Sequence, residues 1–513
     1  MLNKIKNATY SIYNTNKKIL FISAFLIIIF LSLFPRSIEV LNQNPIFGFD
    51  QGREYLAARN IVVNHKLILI GTELGAGSAG ISGLFHGPIY YYLLTIPFIL
   101  FNGNPAGGTW LMLAFGLSSI LFGYYLGRKI FNNYIGILIA LLMSISPILI
   151  AQSRFLWSPN PPTLFILLSF YFTYLLSQNK KNLFIFLAAF FAGFVYNFEM
   201  AIAIPLSLAL FIYSIYILRK EFNKYLYLIL GYLLAFSPMI FFEIRHGFMG
   251  LKGIINYLTH PGKNSNFFDI TFLTGHANSF LYNFKDTFPV FNYEVGMLLL
   301  VAFLVMAFYL TRKEKNAKLK VFIYYLFLLI PTSFFVFSFL RNYVYNYYLT
   351  HLSLSYIIVF AYLIYASFKQ KKNAILVGLI VVIVIITVFG VISAVKTSIF
   401  DYSDYGGTAK LKGQMAAVDY IYNDAKGKPF GVLAFSPAVY TYPYDYLFLW
   451  YGNKTYNYVP YSEKKGTFYL LIEKDPAKPW SYKGWLETVI KSGKIIYTKT
   501  LPSGFIVQKR VEK

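Results

Sequence analysis

Apolar runs separated by short polar connectors recur along the chain from Ile19 to Val395. Eleven of them, at 19–34, 108–126, 134–150, 161–177, 183–198, 200–218, 225–242, 293–310, 321–339, 345–368 and 374–394, read as helices crossing a hydrocarbon core about 30 Å thick. A twelfth run at 87–101 is shorter, follows Gly87-Pro88 and precedes Asn102-Gly-Asn-Pro-Ala-Gly-Gly. The pattern predicts a polytopic α-helical membrane protein of about 11–12 transmembrane helices over residues 1–396. Beyond Lys396 the periodicity changes. A helix is expected over 410–426, strands over 429–436 and 467–472, a short helix over 485–491, and a hairpin over 494–511 turning at Pro502-Ser-Gly504. Residues 397–513 therefore read as a small soluble α/β domain on the exterior face.

The connectors orient this arrangement. Arg128-Lys129, Lys180-Lys181, Arg219-Lys220, the cluster from Arg312 to Lys320, and Lys369 to Lys372 fall at alternate turns, the positive-inside signature of cytoplasmic loops. They place 397–513 outside. With a cytoplasmic N-terminus and an uncleaved first span, twelve crossings would return the tail to the cytoplasm, so one run does not cross. The run at 87–101 is expected to lie in the interface or dip and return. The composition agrees: 57% hydrophobic and 13% charged residues exclude an ordinary soluble chain. The net charge of +25 reads as loop topology and anionic headgroups, not as nucleic-acid binding. The absence of cysteine excludes disulfides, thiolate metal sites and a cysteine nucleophile.

This topology leaves 35–107, 151–160, a turn at 197–200, 243–292 and 340–344 outside, and these hold the unusual polar residues. In Phe49-Asp50-Gln-Gly-Arg53-Glu54 an acid sits close to a membrane exit. It reads either as part of a solvated helix steadied by an Asp50–Arg53 or Glu54–Arg53 pair, or as a catalytic carboxylate where a lipid-linked and a water-borne substrate meet. His86 either turns the chain or bonds substrate. Arg154, Arg245 and Arg341 lie outside against the charge bias, where a guanidinium fork suits a phosphate. Arg53, Glu54, Asn160, Glu199 and His246 complete the candidate binding set, and Glu243 is expected to pair with Arg245. The aromatic stretch 440–461 either stacks on sugars or fills a small core. No nucleotide loop, HExxH, GxSxG or metal-ligand spacing occurs, so neither cofactor nor metal is expected.

Over the first ~400 residues, taken as an order of features and not as a probability, the chain resembles the GT-C glycosyltransferases that use polyprenyl-phosphate sugars. It is most similar to their family 39 branch of protein O-mannosyltransferases and lipid A aminoarabinose transferases. The likeness rests on Phe49-Asp50, on Phe85-His86-Gly87-Pro88-Ile89-Tyr90-Tyr91-Tyr92-Leu93, on the Gly-Arg-Lys-Ile-Phe turn at 127–131 and on Ser153-Arg154. It implies that Asp50 serves as base or orients the acceptor and that the exterior arginines hold a polyprenyl-phosphate sugar donor. The acceptor would be a lipid, glycan or protein. Many relatives carry a second acid after the Ser-Arg pair, where this loop has Asn160, which points to an inverting, metal-independent displacement. Two other classes stay open: a multi-span transporter or lipid flippase lined by Glu199 and the arginines, and a scaffold of envelope assembly. The long exterior loops and the lack of internal symmetry speak against the first, and a scaffold would tolerate loss of Asp50.

Overall fold

The computed structural model describes residues 19, 21–74, 81–259, 270–289, 293–340, 343–404, 407, 409–437 and 440–512. Every long apolar run forms a helix, from Phe21–Arg36 through Gly107–Ile130 to Asn373–Ser403. Among the described residues, six single helices have the length and apolarity to cross a membrane, and a seventh candidate is the pair Phe222–Ala235 and Ser237–Arg245, bent by 70°. That bend falls just before Pro238, whose missing N–H and ring clash interrupt the helical ladder. Pro147 acts similarly, separating Asn133–Ile145 from Pro147–Gln152 at the extended Ser146. Thr350–Lys369 is apolar on nearly all sides and buried accordingly, whereas the 31-residue Asn373–Ser403 helix exposes Val377, Val381, Val384, Val388 and Ile392. These are the signatures of a central helix and a lipid-facing one.

The basic connectors meet at one end of the bundle. Lys180 pairs with Glu221, Lys318 Nζ donates to the Gln178 carbonyl at 2.6 Å, and Lys369 pairs with Glu314 at 3.1 Å.

A second layer lies apart from this core. The short helix Ile89–Leu100 rises about 18 Å, too little to cross the core. It buries Tyr90, Tyr91, Leu94 and Phe98 in a cluster shared with the Phe49–Val62 helix and with Leu411, Ala417, Tyr446 and Phe505 of the tail.

The tail forms a four-stranded sheet in the order β1 (Gly431–Phe435), β2 (Thr467–Ile472), β4 (Ile506–Val511), β3 (Lys494–Thr500), with β1 and β2 parallel and the other pairs antiparallel. Alternation along β2 sends Tyr469 and Leu471 into the shared cluster, and Phe468, Leu470 and Ile472 into a smaller core beneath Trp485 and Leu486. The aromatic stretch largely fills the shared core, where Tyr444, Tyr446 and Phe448 are buried. Backbone bonds join tail to first loop: Phe47 N to Ala409 O at 2.9 Å and Leu411 N to Pro45 O at 3.0 Å. The Tyr446 hydroxyl donates to the Gly103 carbonyl, and Trp450 Nε1 to Asn102 O at 2.7 Å. At Gly52 the approach is closest, since a Cβ there would lie 2.4 Å from Pro443 N. The helix that carries Asp50 is thus clamped by the tail backbone.

Candidate functional site

The Phe49–Val62 helix begins where Gly48, extended, donates its N–H to Gln51 Oε1 at 3.0 Å, and Gln51 Nε2 reaches Leu156 O at 2.7 Å. Gln51 thereby fixes the helix start against the loop at 151–160. Asp50 lies in the first turn, where the helix dipole favours an anion. Its Oδ1 accepts from Arg53 Nη2 at 2.6 Å, and its side chain is 32% exposed. Arg53 also sits 5.0 Å over the Phe49 ring, with its buried Nε lacking an acceptor.

From this pair a polar line runs inward. Tyr91, buried in the neighbouring helix, lies beside both Arg53 and Thr72. Thr72 Oγ1 lies 3.3 Å from His86 Nδ1, and His86 Nε2 lies 3.5 Å from Glu199 Oε1. Both His86 and Glu199 are buried. Glu199 also caps the Met200–Leu218 helix by accepting from Ala201 N at 3.1 Å. Gly87 must be glycine here, because a Cβ would come within 2.0 Å of Asn197 Oδ1 and 2.7 Å of Met239 Sδ. The line brings together Asp50, Arg53, His86 and Glu199; Thr72 and Tyr91 were missed by the sequence reading, although Tyr91 stands inside the aromatic motif that flagged His86.

At the Glu199 end an apolar groove opens. Met200, Ala201, Leu84, Tyr257, Phe337 and Tyr348 are among its walls, and it holds about 920 Å³ of empty space, counting the part open to solvent.

Residues 85–242 match the family model described as dolichyl-phosphate-mannose-protein mannosyltransferase. The whole chain superposes on the ArnT of Cupriavidus metallidurans in the apo state, with TM-score 0.60 and 13% identity, covering 97% of this chain and 98% of that one. The same enzyme bound to undecaprenyl phosphate gives TM-score 0.59 and 12% identity, over 97% and 99% of the two chains. The Archaeoglobus fulgidus oligosaccharyltransferase in complex with Zn and sulfate gives TM-score 0.50 at 13% identity, over 94% of this chain and 72% of that one. No curated protein matches the chain. The chain therefore shares the fold of these structures.

Several expected site residues stand elsewhere in this fold. Arg154 is no open phosphate fork: its Nε and Nη2 grip both oxygens of Glu39 at 2.8 and 2.6 Å, and Nη2 also reaches Asp401 at 2.7 Å. It joins the first loop to the end of the last long helix. Asn160 is buried and donates to the Phe155 carbonyl, a loop-closing role. Arg245 is exposed at the end of its helix, and His246, also exposed, stacks on Phe242 at 4.1 Å. Glu243 caps the following helix through Gly250 N at 2.9 Å. Arg341 lies outside the described residues. A further arginine, Arg36, is buried and donates to the carbonyls of Met143 and Ser144, closing the C-terminus of the Asn133–Ile145 helix.

Glu54 is fully buried, so it faces no substrate. Burial first, then the Asp50 charge, push its pKa well above the ordinary 4.5, with Tyr90 and Ser158 as polar neighbours. A raised acid favours the fold below the unfolded value, and that contribution fades as pH climbs through the folded one. Glu54→Gln is therefore expected to gain stability over the native chain progressively as pH rises above the ordinary carboxyl range. Thermal melts of both proteins across that rise check it; parallel curves would contradict it.

Proposed function

We propose that the protein is a membrane glycosyltransferase that moves a sugar from a polyprenyl-phosphate donor to an acceptor on the exterior face, with inversion and without a metal. The observation that carries this reading is the line from Asp50 to the His86–Glu199 pair at the head of an apolar groove. The groove suits an isoprenoid tail, which needs an apolar trough at the membrane boundary. The headgroup would lie toward Arg53, whose Nε lacks an acceptor.

Asp50 Oδ2 is left for the acceptor while Oδ1 is held by Arg53. In the reaction Asp50 takes the acceptor hydroxyl proton, the acceptor oxygen bonds to the anomeric carbon, and the bond from that carbon to the phosphate oxygen breaks. The polyprenyl phosphate departs with the electron pair, its charge met by Arg53. Asn160 stands where many relatives carry a second acid, and its amide is turned to the backbone, in keeping with a single-carboxylate mechanism. With one displacement the product carries the inverted anomer. NMR of the product from a polyprenyl-phosphate sugar of known configuration tests this; retention would overturn the single-displacement mechanism.

A further inference from the structure

We propose that Tyr440 and Tyr442 form a stacking shelf for a pyranose ring of the acceptor beside Asp50, making the acceptor a glycan. This rests on the glycosyltransferase reading above. The two phenol rings are parallel, with centroids 5.6 Å apart and planes 4° apart. Phe49, adjacent to Asp50, contacts both, at 5.5 and 5.3 Å, and Arg53 lies 5.0 Å from the Phe49 ring centroid. Tyr440 is 55% exposed, unlike the buried Tyr444 and Tyr446 a few residues on.

The shelf is held in register with the carboxylate. Tyr442 and Pro443 abut Gly52 so closely that no side chain fits there. Phe49, Gly52 and Arg53, spaced three and four apart, share one face of their helix. Asp50 pairs with Arg53 at the edge of that face. A flat aromatic surface open to water takes the C–H face of a pyranose while the sugar hydroxyls stay hydrated or reach the carboxylate. An acyl chain would instead require an enclosed apolar trough, and a peptide needs backbone partners that two open phenol rings do not supply.

Saturation-transfer NMR on the full chain in detergent provides the test, with maltotriose, chitotriose and a serine-containing tripeptide as probes. Irradiating aromatic resonances is expected to saturate pyranose C–H protons of at least one trisaccharide. Tyr440→Ala should weaken its affinity by about three- to tenfold, while Tyr440→Phe keeps it. Unchanged sugar affinity in Tyr440→Ala, saturation of the peptide alone, or no saturation of either sugar would overturn the shelf. If the sugar binds through Tyr440 but no transfer occurs from any polyprenyl-phosphate donor, the shelf stands and the glycosyltransferase reading falls.

Discussion

Replacing Arg154 by alanine is expected to destabilise the protein by about 3–5 kcal/mol, because it strands Glu39 without its ionic partner in a buried site. The guanidinium and the Glu39 carboxylate are 8% and 11% exposed, and the fork between them is bidentate. Asp401, at 25% exposed, loses its partner as well but can turn to water. Arg154→Lys should fall between the two, since an ammonium supplies charge without the planar fork. Denaturant unfolding in detergent measures the loss. A phosphate-binding Arg154 would behave oppositely, with stability kept and donor KM raised.

Asp50→Asn is expected to lower kcat by about 10²- to 10⁴-fold, the usual weight of a general base. The fold should barely notice. Asp50 is a third exposed, and its bond to Arg53 is a one-turn surface pair of the kind worth about 0.5 kcal/mol or less. Donor KM should change little, because Arg53 and the groove remain. Kinetics of the purified variant beside its thermal melt separate catalysis from folding. A kcat near native with a lowered melting temperature would make Asp50 a mere partner of Arg53.

The helical framework was readable because a span must satisfy its backbone internally and present apolar side chains to lipid, which writes a long local signal. β2 was likewise readable, and its observed bounds, Thr467–Ile472, equal the expected ones. What escaped was contact between distant segments. Glu39 precedes Arg154 by 115 residues and Asp401 follows it by 247, so nothing in the loop sequence around Arg154 shows that its donors are engaged. Nor does any local pattern reveal that the tail and the first loop share one core. Of the two readings of the acid near the membrane exit, the structure shows the pair: Asp50 is steadied by Arg53 on a short helix, and that pair begins the line to His86 and Glu199. Glu54, three charges along in the same motif, looked like a second site acid, but the helix turns it fully inside.

The central claim is best tested by following labelled sugar from a polyprenyl-phosphate donor into envelope material in membrane vesicles, with native chain and Asp50→Asn, each with and without chelator. We expect transfer by the native chain that survives chelation and is lost in the variant. Equal transfer by both proteins would remove Asp50 from the chemistry, and transfer abolished by the chelator would contradict the metal-independent mechanism.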